Sequence, residues 1–114
     1  MHELGIVRHV IDQVESAAEE NNVERVLKLT LEIGEVSSIV PDYFKDCFEW
    51  SKKKTKYMQD TQLEMIIIKG ISYCTACKKT YGTVEHGKVC PNCGSKETYL
   101  VTGNQMIIKD MVAE

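Results

Sequence analysis

No apolar run in this sequence approaches the roughly 18 residues that a membrane-spanning helix needs, so no membrane span is expected. The start, Met1-His2-Glu3-Leu4-Gly5-Ile6-Val7-Arg8, lacks a basic segment leading into an apolar core. It does not look like a signal peptide, and the expected location is the cytoplasm. Positive charge is not in excess either. Lys and Arg number 14 against 17 Asp and Glu, a formal net charge of −3. That sign disfavours a general nucleic-acid binder, which is normally basic over its binding domain. Low-complexity segments and internal repeats are absent, apart from two cysteine pairs described below. So are a phosphate loop, a Gly-x-Ser-x-Gly elbow and any recognisable carboxylate pair, and no enzyme is expected.

Cysteine is what the chain does have. Cys74-x-x-Cys77 and Cys90-x-x-Cys93 are separated by 12 residues. Two thiolates two residues apart grip one side of a tetrahedral ion, and a second pair across a short β-ribbon closes the shell. Gly94 follows Cys93, where a tight turn can aim backbone N–H groups at a thiolate. Lys78 and Lys79 place positive charge beside a site that four thiolates and Zn²⁺ leave at about −2. A thioredoxin-like redox pair would need one Cys-x-x-Cys near a βαβ unit, not two facing pairs. Iron in a rubredoxin-like site satisfies the same sulfur geometry, and zinc is the expected ion in a reducing cytoplasm. With four sulfur ligands no coordination position stays open, so the zinc is expected to be structural.

Apolar residues at Leu4, Val7, Val10, Ile11, Val14 and Ala17/Ala18 predict a helix from about Leu4 to Asn21. Leu27, Leu29, Leu31 and Ile33 alternate with Lys28, Thr30 and Glu32, predicting a half-buried strand over Glu24–Ile33. Pro41 suits the first turn of a second helix, with Phe44, Cys47, Phe48 and Ser51 as its inner stripe and Tyr43 and Trp50 flanking. The lysines at 52, 53, 54 and 56 follow that helix, where cations complement its dipole; a solvated helix end is the expectation for them. Thr61–Lys69 and Gln105–Met111 read as two more strands. The predicted fold is α+β: a small three-stranded sheet with two helices on one face, plus an inserted zinc ribbon. Residues 1–70 with 104–114 form the α/β domain and 71–103 the ribbon. The ribbon falls below the ~40 residues that usually fold without metal, so its folding should depend on zinc.

Met1-His2-Glu3 is a second candidate centre. A free α-amine, the backbone nitrogen of His2 and its Nδ1 can form fused chelate rings, a tridentate nitrogen set suited to tetragonal Ni²⁺ or Cu²⁺. Glu3 could add its carboxylate or its backbone nitrogen. His86, in the loop between the cysteine pairs, is a candidate for a further position and equally an ordinary loop histidine. His9 is two turns, about 10 Å, from His2 and is read as a solvated residue. Cys47 is read as a small buried apolar residue.

Met1-His2-Glu3 opening an amphipathic helix, Gly34-Glu35 before Ser37, Pro41 leading an aromatic helix with Phe48-Glu49, the four-cysteine ribbon and Thr102-Gly103-Asn104-Gln105-Met106 occur in one order. Together they closely resemble the HypA/HybF family of hydrogenase maturation nickel-incorporation proteins, over essentially the whole chain. The resemblance implies a nickel metallochaperone. Met1, His2 and Glu3 would bind the transported Ni²⁺, and Cys74, Cys77, Cys90 and Cys93 would hold structural Zn²⁺. A GTPase partner of the HypB type would help pass nickel to the large subunit of NiFe-hydrogenase, and some members also serve urease. Gln105 departs from the family, where Glu is frequent. The terminal strand, reached through the ribbon, could be exchanged between chains, so a swapped homodimer is among the expectations. A zinc-ribbon adaptor for protein or nucleic acid is the rival reading.

Overall fold

In the computed structural model, residues 2–114 are described, with only the backbone of His2. The chain runs α1 (His2–Glu20), β1 (Val26–Gly34), α2 (Pro41–Ser51), a 3₁₀ turn (Lys52–Lys54), β2 (Gln62–Ile68), β3 (Ile71–Cys74), β4 (Thr80–Gly82), α3 (Thr83–His86), β5 (Thr98–Thr102) and β6 (Met106–Ala113). These form two three-stranded sheets, β2-β1-β6 and β4-β3-β5. The fold is α+β with an inserted ribbon. Two compact units can be drawn: residues up to Leu31 with Ile39–Ile66 and Ile107–Glu114, and Glu32–Ser38 with Ile67–Met106.

The first unit buries one stripe of each helix. Val7, Val10, Ile11, Val14 and Ala18 come from α1, Phe44 and Phe48 from α2, and Val26, Leu29 and Leu31 from β1. Helix periodicity in α1 thus translates directly into burial. Leu27 does not follow its expected alternation: it is exposed, and Val26 is buried in its place. The strand begins later than expected, and the Val26 N–H donates to Tyr57 while its carbonyl accepts from Thr61 Oγ1 at 2.8 Å. Val26 is therefore held from two sides at the strand's entry.

Helix ends follow local chemistry. Asn22 takes φ of +54° just past α1, the left-handed geometry that commonly closes a helix. Val40 before Pro41 is extended, as a residue preceding proline should be, and Asp42 sits in the first turn where the dipole favours an anion. The lysines after α2 are more engaged than a solvated end. Lys52 Nζ pairs with Glu49 and donates to the Thr61 carbonyl at 2.9 Å, and Lys54 lies 4.2 Å from the Trp50 ring centre.

The second unit is threaded by three glycines. A Cβ at Gly34 would overlap the Gly103 carbonyl, and one at Gly103 would overlap the Gly70 Cα. Gly103 also has φ of +113°. Around this junction Val36 N–H donates to Gly103 O at 2.8 Å and Gly34 N–H to Gln105 O at 2.7 Å. The Glu35 carboxylate accepts from Gly70 N–H at 2.9 Å. Gln105 closes the turn: its Oε1 accepts from Gly103 N–H and its Nε2 donates to Thr102 Oγ1.

Gly103→Ala should therefore destabilise the metal-loaded protein by roughly 2–3 kcal/mol or more, from left-handed strain plus backbone overlap. Gly87→Ala, at φ of +61° in open space, should cost only about 1–2 kcal/mol. Urea unfolding of both variants checks the order, and equal losses would show that the junction is looser than described.

Candidate metal centre

The second unit builds its metal site from two copies of one backbone device. In the first, Cys74 N–H donates to Lys79 O at 2.9 Å and Lys78 N–H to Cys74 O at 2.8 Å. In the second, Cys90 N–H donates to Ser95 O and Gly94 N–H to Cys90 O, both at 2.9 Å. The fourth residue after each leading cysteine turns left-handed: Lys78 at +62° and Gly94 at +74°. The Gly94 N–H thus goes to a carbonyl, not to sulfur. It is the next residue of each turn, Lys79 or Ser95, whose backbone favours the thiolate of Cys77 or Cys93.

All four sulfurs lie within 4.8 Å of one another. Cys74 to Cys93 and Cys77 to Cys90 are each 3.6 Å apart. A disulfide would bring a pair to about 2.05 Å. A tetrahedral ion with metal–sulfur bonds of about 2.3 Å has sulfur–sulfur edges of about 3.8 Å, which the cluster nearly meets. Cys74 and Cys90 are buried, Cys77 is half-buried and Cys93 is exposed. Cys74, Cys90 and Cys77 make the ribbon's apolar cluster with Tyr81. The Tyr81 hydroxyl donates to Gly87 O at 2.8 Å, tying down the loop between the pairs. The donor set and geometry suit a closed four-sulfur zinc site, which would hold the two turns together and offer no position for a reacting ligand.

The thiols are electrostatically unequal. A hydrogen bond from the Asn92 side chain, joined by those from Cys90, Cys74 and the Lys79 backbone and opposed by burial, brings Cys77 down to about 6. At Cys93 the Ser95 backbone favours the thiolate, but the three crowding thiols and burial outweigh it and push the group up to about 12. A metal ion must displace at least the Cys93 proton at neutral pH, so affinity falls as pH drops. Asn92 was not singled out by its sequence position; the Cys-Pro-Asn-Cys spacing gives no hint of which thiol it serves.

The other candidates are placed as follows. Met1 and the His2 side chain lie outside the described residues. The Glu3 carboxylate accepts from Val40 N–H at 3.3 Å, at the entry to α2. His9 is exposed on α1, and Cys47 is half-buried. His86 is exposed at the end of α3, where it meets the Tyr81 ring edge-on at 6.1 Å between centres. The ribbon is more than a two-stranded turn, because β5 adds a third strand and α3 fills the connection.

A family model described as hydrogenase/urease nickel incorporation, metallochaperone, hypA matches residues 1–113. The chain belongs to the HypA family. It is 32% identical to the hydrogenase maturation factor HypA of Actinobacillus succinogenes, over all of both chains. With that of Trichormus variabilis it shares 36% identity, over all of this chain and 96% of the relative. The solution structure of the Ni metallochaperone HypA from Helicobacter pylori superposes with a TM-score of 0.72 at 24% identity, covering 99% of this chain and 97% of the other. That likeness confirms the fold. HypA proteins are maturation factors concerned with nickel incorporation, so the chain is placed in a metallochaperone class. No helix among the described residues is long and apolar enough to cross a membrane.

Asn92→Ala should raise the Cys77 thiol from about 6 and move acid-induced metal release to higher pH, by up to about one unit. The thiolate absorption of the cobalt-substituted protein, followed during acidification, reads this directly. An unchanged midpoint would mean that Asn92 does not act on Cys77 in the loaded site.

Proposed function

We infer that this chain is a nickel carrier. It takes Ni²⁺ at Met1-His2-Glu3 and, with a GTPase partner of the HypB type, delivers it to the large subunit of NiFe-hydrogenase, urease being a second destination. Zinc at Cys74, Cys77, Cys90 and Cys93 holds the ribbon in shape, and the work is done in the cytoplasm. The observation that carries the reading is the family match from residue 1 onward, so that the tripeptide falls within it, with α1 beginning at His2.

The chemistry of that position suits a carrier. The backbone nitrogen of His2 lies in the first turn of α1, where a helix supplies no acceptor of its own. Together with a terminal amine and the imidazole it makes a nitrogen set preferred by Ni²⁺ and Cu²⁺. Binding deprotonates the amide and competes with protons at the amine and imidazole, so nickel affinity falls as pH drops. The Glu3 carboxylate, lodged beside Val40 N–H, fixes the first turn near the start of α2.

The test is a nickel titration of zinc-loaded protein with its native terminus beside a version bearing a short N-terminal extension. The extension converts the amine to an amide and leaves every cysteine in place. Loss of stoichiometric nickel binding only in the extended protein is the expected result. Equal binding by both, or by neither, would remove nickel from the N-terminus and favour a ribbon adaptor.

A further inference from the structure

The four sulfurs differ in their access to solvent and in their nearest contacts. Cys93 is exposed, Cys77 is half-buried, and Cys74 and Cys90 are buried. Two pairs touch, Cys74 with Cys93 and Cys77 with Cys90, each at 3.6 Å. Each pair takes one sulfur from the first hydrogen-bonded turn and one from the second. A disulfide needs about 2.05 Å, so each contact is about 1.5 Å short of a covalent bond. The two bridges are compatible, because Cys77 and Cys90 both lie between Cys74 and Cys93 in the chain. A bridge inside either turn, Cys74 to Cys77 or Cys90 to Cys93, would leave the turns unlinked.

We propose that the centre is a peroxide-sensitive clasp, in which the cross-turn disulfides Cys74–Cys93 and Cys77–Cys90 replace the ion and keep the ribbon closed. The thiolate is the reacting form of cysteine, and exposure decides which one meets an oxidant. A small hydroperoxide reaches the Cys93 sulfur first. That sulfur attacks one peroxide oxygen, the O–O bond breaks, hydroxide leaves, and Cys93 becomes a sulfenic acid. The Cys74 thiolate then attacks the Cys93 sulfur. An S–S bond forms and the S–O bond breaks, expelling a second hydroxide. Two electrons have passed from two thiolates to one peroxide. Only Cys77 and Cys90 are then left as ligands, and half-buried Cys77 repeats the steps with Cys90 and a second peroxide. A reducing thiol reverses each bridge by exchange.

Both bridges join the turns where the ion would join them, and they close far longer loops than a bridge within one turn. In the loop-closure account, longer loops restrain the unfolded chain more. The strands beside the cluster keep their register, with Tyr73 opposite Tyr99 and Cys74 opposite Thr98. Oxidation therefore gives up the ion without opening the ribbon, whereas chelation of the reduced chain removes the only link between the turns. The clasp presupposes zinc in the shell, as the proposed function does. Zinc content measured before the oxidant is added tests that reading alone, and the bridges are read on the sulfurs themselves.

The test uses the zinc-loaded full chain, with no variant and no nickel. Hydrogen peroxide is added up to about two equivalents, and the remaining thiols are alkylated after unfolding. Trypsin, cutting after Lys69, Lys78, Lys88 and Lys96, puts Cys74 and Cys77 in one peptide and Cys90 and Cys93 in another. When the first bridge has formed, the two peptides should be joined through Cys74 and Cys93, with the alkyl label on Cys77 and Cys90. At full oxidation both bridges join the same two peptides, and zinc is released in step. Amide exchange in β3, the central strand of the ribbon sheet, should stay within about tenfold of the zinc-loaded rate after oxidation. In the reduced, chelated chain it should rise at least about a hundredfold. Peptides each closed on themselves, or label on Cys74 or Cys93 at the first bridge, would overturn the proposal. So would β3 amides as open after oxidation as after chelation, or cysteines that pass on to sulfinic acid without bridging.

Discussion

Four sulfurs within 4.8 Å of one another are the constraint on which the ribbon depends. Its apolar cluster contains little else: Tyr81 is the sole residue of that cluster that is not a cysteine. A segment with so small a core cannot offset the entropy of ordering its backbone by hydrophobic burial alone. Metal–thiolate bonds would supply the missing stabilisation, at the point where the two turns meet. The same crowding makes the metal-free state electrostatically awkward. Thiols this close cannot all ionise without a cation, which is why Cys93 is pushed up while Cys77, helped by Asn92, is brought down.

Around the cluster the chain is routed by close backbone approaches more than by side-chain packing. Gly34, Gly70 and Gly103 meet where a Cβ on Gly34 or on Gly103 would collide with backbone. Because these contacts are between main-chain atoms, they tolerate no rotamer adjustment, and the register of the segments entering the ribbon is fixed. Gln105 locks the same turn with both ends of its amide. A carboxylate in its place could accept from Gly103 N–H but has no N–H of its own for Thr102. The amide at position 105 thus has a local structural use in this chain.

The first unit was largely legible in the sequence, since its helices and central strand bury continuous periodic stripes. Val7, Val10, Ile11, Val14, Phe44 and Phe48 end where the helix period places them. The exception, Leu27, failed because Val26, held from two sides by Tyr57 and Thr61 at the strand's entry, takes the buried place, a contact between distant segments that alternation does not reveal. The cysteine quartet was legible too, its spacing being the geometry itself. Its surroundings were not. The outer strand β5 and the four-residue α3 are too short for periodicity, and the role of Asn92 is a three-dimensional proximity. The glycine junction joins positions 34, 70 and 103, a separation that no local pattern reveals.

On the proposed reading the two centres ask opposite things of the chain, and sequence position answers each. A structural ion should not leave, and a closed four-sulfur shell embedded between two hydrogen-bonded turns must break several bonds in succession before it does. A delivered ion must leave on contact with its acceptor. On the proposed reading it sits on a chain terminus with few ligands, where each bond can be exchanged for one from the recipient without disturbing a core. Placing both functions in one cluster would force a compromise between holding and giving. On the same reading, sulfur for the ion that stays and terminal nitrogen for the ion that travels would also sort the metals by ligand type, so that each site disfavours the other's ion.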